Sequence, residues 1–458
     1  MEGQREKLGS RLGFILLSAG CAIGIGNVWK FPYVVGENGG GFFVLIYLLF
    51  LIAMGVPILT MEFALGRASQ KSPVRLYQQL QKKNHKWHLH GYVAFGGNVL
   101  LMMFYTTVSG WLLQYFVKMV SGQFNGLDSS GVNAVFTQMQ ADPGMQILFT
   151  GIVIVVGFLV CAFGVKNSLE RITKFMMLAL LGIMVVLAVQ GFFLEGAGEG
   201  LAFYLVPNFE KVAEVGIFNV ITSAMSQAFF TLSLGLGSMA IFGSYLKKDR
   251  SLLGEAVNVA VLDTFVAIVA GLIIFPACFT FNNGEVGAGP PLIFQTFPMV
   301  FNNMPLGQLW GSLFFLFLTF AALSTVFAVF ENIIACVMDM TGLSRPLTCI
   351  ICLVGIFILS LPCVFGFNIW SGFQPFGEGS SVLDLEDFIV SNLLLPIGSF
   401  VFCIFCVSKF GWGWDNFIEE ANIGKGWKIK KWMKVYMKYI LPLLLLTLIV
   451  VSIVTFFL

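Results

Sequence analysis

Residues 10–41 of the chain read SRLGFILLSAGCAIGIGNVWKFPYVVGENGGG. The apolar length suffices to cross a bilayer, which takes about 20 residues. Yet Gly20, Gly24 and Gly26 interrupt its centre, and Asn27 follows directly. Each glycine weakens a helix by roughly 0.8–1 kcal/mol relative to alanine, so the middle of this segment is expected to break. Inside lipid a break is tolerated only where the freed backbone groups line a cavity or meet a ligand. The segment is therefore expected to carry a binding site at membrane depth.

The pattern returns far downstream. Ala22-Ile23-Gly24-Ile25-Gly26-Asn27 is matched by Ser233-Leu234-Gly235-Leu236-Gly237-Ser238, each reading small, aliphatic, Gly, aliphatic, Gly, polar. Such glycines also let helices approach closely, with no further role. Two matched interruptions in corresponding halves of an apolar chain point instead to the site of a secondary transporter.

Of 458 residues, 57% are hydrophobic and 11% charged, and the mean hydropathy is +0.87. These values exclude a soluble fold and set the chain in the polytopic membrane class. Windows of about 19 residues predict eleven spans: 11–36, 41–66, 89–122, 145–163, 168–194, 216–246, 254–281, 308–340, 346–366, 387–408 and 438–458. With the N-terminus cytoplasmic, every Lys and Arg except Lys30, Lys118 and Lys211 falls inside, as the positive-inside rule requires. An odd number of spans leaves the C-terminus extracytoplasmic. No cleavable signal is read before the first span. The outer loops are acidic, carrying Asp128, Asp142, Glu195, Glu199, Glu210, Glu214, Glu285, Glu378, Asp384, Glu386 and Asp387. Residues 282–305, NNGEVGAGPPLIFQTFPMVFNNMP, are too apolar for a solvated loop and are expected to dip back as a lid. Residues 410–437 mix tryptophan with lysine, as an interfacial helix on an anionic leaflet would. The CxxC pairs at 349–352 and 403–406 read as small apolar helix positions. His85, His88 and His90, with no Cys or carboxylate at ligand spacing, read as solvated surface.

Ionisable groups within spans default to functional hypotheses. Glu62, Asp263 and Glu331 are the three, and Asp263 has no basic neighbour on its own helix. A carboxylate there takes up a proton or sits beside a cation. Thr231 and Ser233 at the second interruption, with Ser324 and Thr325 in FAALST, add hydroxyls. Isolated Ser and Thr in spans commonly bond their own helix backbone. Clustered beside two breaks, hydroxyls, carbonyls, one amide and one carboxylate make a hard, oxygen-only set suited to sodium and unsuited to zinc or copper; calcium would want more carboxylates.

RLGFILLSAGCAIGIGNVWKFPYVVGENGGGFF, QAFFTLSLGLGSM and FAALSTVFAVFEN resemble the neurotransmitter:sodium symporter family, most closely its bacterial amino-acid transporters with the LeuT fold. The resemblance runs across essentially the whole chain. It implies an all-α polytopic membrane protein forming one transporter domain, 1–458. Two inverted five-span repeats, about 11–194 and about 216–408, would be followed by an extra helix at about 438–458, with helices one and six unwound at mid-membrane. The implied function is sodium-coupled import of an amino acid by alternating access in a cell inner or plasma membrane. The partners expected are the substrate and the bilayer, with no nucleic acid and no obligate protein.

The resemblance also implies residues. One sodium ion would be held by the carbonyl of Ala22, by Asn27, Thr231 and Asp263, and by the substrate carboxylate. A second would be held by the carbonyls of Gly20, Ile23 and Ala321 and the hydroxyls of Ser324 and Thr325. The backbone of Gly26 and the Tyr105 hydroxyl would hold the substrate carboxylate, with Gly24 and Ile25 also at the substrate. Carbonyls of Ala22, Phe230 and Thr231 would take its ammonium. Leu101, Tyr105, Phe230, Ser233, Leu236, Thr325 and Val329 would line the side-chain pocket. Lys30 would pair with Asp387 in an outer gate; Arg5 would pair with Asp339 in an inner one, helped by Tyr245 and Ser244.

Several positions refine these expectations. Monoamine members of the family carry an Asp where this chain has Gly24, so the substrate is expected to bring its own carboxylate. Leu236 and Val329 leave room for a hydrophobic or aromatic side chain. Asp263 stands where Asn is usual, and Ala267 where chloride-dependent members carry Ser; Tyr47 and Gln227 of the chloride site remain. Transport without chloride is expected, the carboxylate supplying the charge. Leu8 replaces the usual Trp beside Arg5, and KFMMLALLG lacks a Pro common after the two Met residues, so unwinding of span five is expected to be harder. Lys30 lacks the bidentate fork of Arg. Proton coupling through Asp263, Glu62 or Glu331 is the rival reading. A channel is a further one; an enzyme lacks any HExxH, GxSxG, phosphate loop or paired catalytic constellation in this sequence.

Overall fold

The computed structural model describes residues 7–281, 284 and 290–457. Among these residues the structure is helical throughout, the only β pairing being isolated bridges Gly40–Pro207 and Arg250–Lys425. Among the described residues nine helices are long and apolar enough to cross a membrane: Gly41–Ser69, His88–Val120, Pro143–Ala162, Val165–Gly191, Leu252–Phe281, Gly307–Thr341, Arg345–Phe365, Val382–Val407 and Met433–Val454. Arg11–Ala22 and Gly26–Glu37, bent by 59°, make a tenth when joined. Ile217–Thr231 and Ser238–Ser244 stand where the sixth span is expected; at 15 and 7 residues neither piece crosses alone. Length and composition thus carry the expected eleven to ten. With the two broken helices counted as spans one and six, the order along the chain is spans one to eleven.

Both breaks follow from the glycine pattern. In span one the first half ends at Ala22, and Ile23 turns to extended backbone (φ −69°, ψ 99°). In span six Gly235 (φ +100°) and Gly237 (φ +74°) take left-handed conformations that side chains disfavour. Small residues bring the neighbouring spans close. A Cβ on Gly243 of span six would lie 2.5 Å from the Phe63 carbonyl oxygen of span two, and one on Gly66 would strike the Ala240 backbone.

Four expectations are corrected. Span ten begins at Val382, not 387: Ser381 and Asp384 form a capping box, Ser381 N and Oγ each donating to Asp384 at 2.7 Å. Asp384, Glu386 and Asp387 therefore lie on a helix rather than in a loop. In the segment read as a lid, residues 282, 283 and 285–289 lie outside the described residues. The remainder forms a helix, Leu292–Asn302, whose Leu292, Ile293, Phe294 and Phe297 are fully buried. Phe294 sits 4.8 Å from Tyr115 and 5.8 Å from Trp111, ring centre to ring centre, so this segment is a packed element. Of residues 410–437, only Trp414–Ala421 is a separate helix, and it anchors the bundle: buried Arg67 of span two donates to Glu420 Oε1 (2.6 Å) and Lys248 pairs with Oε2 (3.1 Å). Met433 onward is already span eleven. Lastly, His90 is half-buried rather than free on the surface; its Nδ1 lies 2.8 Å from the Tyr77 hydroxyl, and its ring stands edge-on to Phe402.

Span five is continuous through Met176 and Met177. Its N-terminal part holds the start of span one, because Glu170 accepts from Gly9 N (2.7 Å), Ser10 N (3.1 Å) and Ser10 Oγ (2.7 Å). These bonds satisfy donors at the start of a helix that its own turns cannot reach.

Candidate functional site between two broken helices

The breaks face one cavity of about 110 Å³. Every residue expected to bind substrate lines it except Thr231: Ala22, Gly24, Ile25 and Gly26 from the first break, Phe230, Ser233 and Leu236 from the second, Leu101 and Tyr105 from span three, Thr325 and Val329 from span eight. Thr231 is buried just behind, its hydroxyl turned to Asp263. The sequence reading missed Trp29, Phe104, Val108, Ser238, Leu383, Val390 and Leu395, which also line the cavity. Most are ordinary apolar residues of spans and carry no local signal.

The first break sets the polar end. Ile25 N donates to the Tyr105 hydroxyl at 3.1 Å, and Gly24 N to Asn27 Oδ1 at 3.3 Å. A Cβ on Gly24 would lie 2.5 Å from the Tyr105 hydroxyl and 3.0 Å from that of Thr325, so no side chain fits there. A Cβ on Gly26 would strike the Phe230 ring. The remainder of the wall is mostly apolar.

Behind this wall two groups of oxygens gather. Asn27 Nδ2 is 2.8 Å from Asp263 Oδ1, 3.0 Å from Thr231 Oγ1 and 3.3 Å from the Asp263 carbonyl, while Thr231 Oγ1 donates to Asp263 Oδ2 at 2.9 Å. Two amide hydrogens face three acceptors, all in residues fully or almost fully buried. Turning the amide over would present its oxygen to the same place, so the residues suit a cation held by oxygen alone. On the other side, the single hydroxyl proton of Thr325 faces carbonyls of Gly20 (3.2 Å), Ile23 (3.3 Å) and Ala321 (3.4 Å), with Ser324 Oγ 2.8 Å from the Ala321 carbonyl. One donor cannot satisfy three acceptors; a hard cation can. Tyr47, Gln227 and Ala267 are buried.

The pair expected for the outer gate is not formed in this structure. Lys30 and Asp387 both line the cavity, yet no ion pair joins them. The Lys30 ammonium lies 3.9 Å from the centre of the Phe230 ring, and Asp387 accepts from Ser391 Oγ at 2.6 Å. Phe230 offers a face that attracts a cation without requiring its desolvation by a carboxylate. Arg5 lies outside the described residues. Asp339 accepts from Ser72 N at 2.7 Å, Ser244 Oγ bonds the Ile241 carbonyl of its own helix, and the Tyr245 hydroxyl donates to Glu331 at 2.7 Å. Buried Leu8 stands near this inner end.

Each carboxylate of the rival proton reading has at least one hydrogen-bond or ion-pair partner, though Glu62 Oε2 is buried without one. Glu331 pairs with Arg345, whose Nε also bonds the Cys161 carbonyl at 2.8 Å. Glu62 accepts from Gly235 N at 2.7 Å and so holds the second break. Asp263 belongs to the oxygen cluster already described. Nothing here favours a proton path.

The sequence matches the Sodium:neurotransmitter symporter family over residues 5–128 and 129–457. It is 35% identical over 400 residues to the uncharacterized sodium-dependent transporter YhdH of Bacillus subtilis (strain 168), covering 87% of each chain. An uncharacterized sodium-dependent transporter of Haemophilus influenzae is 31% identical over 461 residues, 97% of each chain. The crystal structure of MhsT in complex with L-phenylalanine superposes with a TM-score of 0.86 and 35% identity, covering 98% of this chain and 100% of that one.

Proposed function

The chain belongs to the sodium:neurotransmitter symporter family, transporters rather than enzymes, and from that premise we propose that it imports a hydrophobic or aromatic L-amino acid with sodium, by alternating access and without chloride. The observation that carries this reading is one cavity lined by two kinds of group. Peptide groups of the first break and the Tyr105 hydroxyl line it together with the apolar side chains of Leu101, Phe104, Val108, Leu236 and Val329. A zwitterion with an apolar side chain matches both. The neighbour MhsT, captured with L-phenylalanine, supports the same class.

In this reading two sodium ions occupy the two oxygen groups. Ala22, Asn27, Thr231 and Asp263 hold one together with the substrate carboxylate; Gly20, Ile23, Ala321, Ser324 and Thr325 hold the other. The half-helix starting at Gly26 directs its positive end toward the carboxylate. Asp263 supplies a fixed negative charge beside the first ion, which is why chloride is dispensable. Residues 11–194 and 216–408 act as the inverted repeats, with the N-terminus cytoplasmic and the C-terminus outside, in a cell inner or plasma membrane. Lys30 and Asp387 close the outer path, and Arg5 with Asp339, helped by Tyr245 and Ser244, the inner one.

The test is uptake into proteoliposomes of labelled L-phenylalanine, L-tryptophan and L-leucine at fixed pH. An inward sodium gradient should drive saturable accumulation, unchanged when gluconate replaces chloride. Accumulation driven equally by a proton gradient without sodium, or abolished by gluconate, would overturn the reading.

A further inference from the structure

The second break is held from three other spans. Glu62 takes the Gly235 N–H, and the Leu236 carbonyl accepts from Asn98 Nδ2 of span three at 2.8 Å. That nitrogen also donates to the Ala94 carbonyl at 2.7 Å. Asn98 Oδ1 accepts from Ser238 Oγ at 3.0 Å, and Ser238 Oγ accepts from Asn332 Nδ2 of span eight at 3.2 Å. Carbonyl oxygens only accept, so the Asn98 nitrogen must face Leu236 and Ala94, and Ser238 must give its proton to Asn98. The relay therefore runs one way, from Asn332 through Ser238 and Asn98 to the Leu236 carbonyl. Its side chains are buried, Asn98 at 1%, Ser238 at 2% and Asn332 at 0% exposure. Asn98 and Asn332 stand off the cavity, where no solvent is at hand to replace a lost partner, so each link fixes the next.

Leu236 is gripped at its other end by the preceding residue of the same span. A Cβ on Gly97 would lie 2.6 Å from Leu236 Cδ2, so the leucine side chain rests in the space glycine leaves. Leu236 and Ser238 both line the cavity. We propose that Gly97 and Asn98 are specificity-determining positioning residues: by seating the side chain and carbonyl of Leu236 they set the depth of the cavity's apolar end. Neither touches the cavity itself. The inference rests on the amino-acid reading above.

The experiment measures Vmax/KM for L-tryptophan and L-leucine in proteoliposomes. Gly97→Ala displaces Leu236 toward the cavity; the tryptophan-to-leucine ratio should fall about tenfold, the scale set by a methylene or two of misfit. Asn98→Ala releases the carbonyl and should change the ratio at least about fivefold, through KM more than Vmax. In both, half-saturation by sodium at saturating substrate should hold, which a general loss of structure would not leave intact. Should Asn98→Ala fail to yield a monodisperse protein, Gly97→Ala decides alone, since alanine favours the helix it enters. A wild-type ratio in folded Gly97→Ala overturns the inference. Wild-type protein taking up neither amino acid overturns the substrate reading, and this inference with it.

Discussion

Asn27 of span one and Asp263 of span seven meet at 2.8 Å, amide nitrogen to carboxylate oxygen, where span one comes apart. The carboxylate has only neutral hydrogen-bond partners, and a buried charge so placed is stabilised by a cation beside it. Asp263→Asn is expected to raise the sodium concentration for half-maximal uptake about tenfold, equivalent to ~1.4 kcal/mol. Adding Ala267→Ser should then make uptake respond to chloride. Sodium titrations in chloride and in gluconate check both.

Thr325 offers one hydroxyl to three carbonyls of two spans. Thr325→Ala should weaken sodium activation and lower its Hill slope, while Thr325→Ser, which keeps the oxygen, should retain most of the wild-type slope. Equal behaviour of the two variants would show that the hydroxyl is not a ligand.

Gly24 has no room for a side chain, since even a Cβ would lie 2.5 Å from the Tyr105 hydroxyl. Gly24→Ala should abolish equilibrium binding of labelled amino acid by displacing Tyr105 from the Ile25 N–H, with the protein still monodisperse. Wild-type affinity would exclude this corner as the carboxylate end.

Arg345 is the charged partner of Glu331, which is fully buried. Arg345→Met leaves that carboxylate uncompensated and should destabilise the protein by about 3–5 kcal/mol, with much of the loss recovered in Arg345→Met/Glu331→Gln. Thermal unfolding in detergent measures it.

Most of the architecture could be read from composition and glycine placement, because lipid leaves a chain little choice but helices and penalises any break without a use. Paired GxG patterns announced spans one and six for that reason. Asp384, Glu386 and Asp387 misled because charge lowers windowed hydropathy; one of them caps a helix, and Glu386 is buried within it. Arg67 and Glu420 are far apart in sequence, and nothing local marks either as the other's partner. Asn98 carries no comparable signal, because a neutral amide within a span costs far less than a charge and does not stand out in the sequence. The cavity wall was legible where residues sit on a break, and illegible where plain Phe104, Val108 or Val390 arrive by tertiary packing. Lys30 was assigned a carboxylate because charge pairing is visible in a sequence, whereas an aromatic face within reach is not.

Glu170 fastens Gly9 and Ser10 to the root of span five through several bonds on a single side chain. Those bonds converge on one carboxylate, Gly9 N on Oε2 and both Ser10 donors on Oε1, so whatever weakens that one side chain weakens the whole edge of the first half-helix at once. Span five is thereby tied to the first half-helix at a point away from the cavity, and a movement of either reaches the other without passing through its contents.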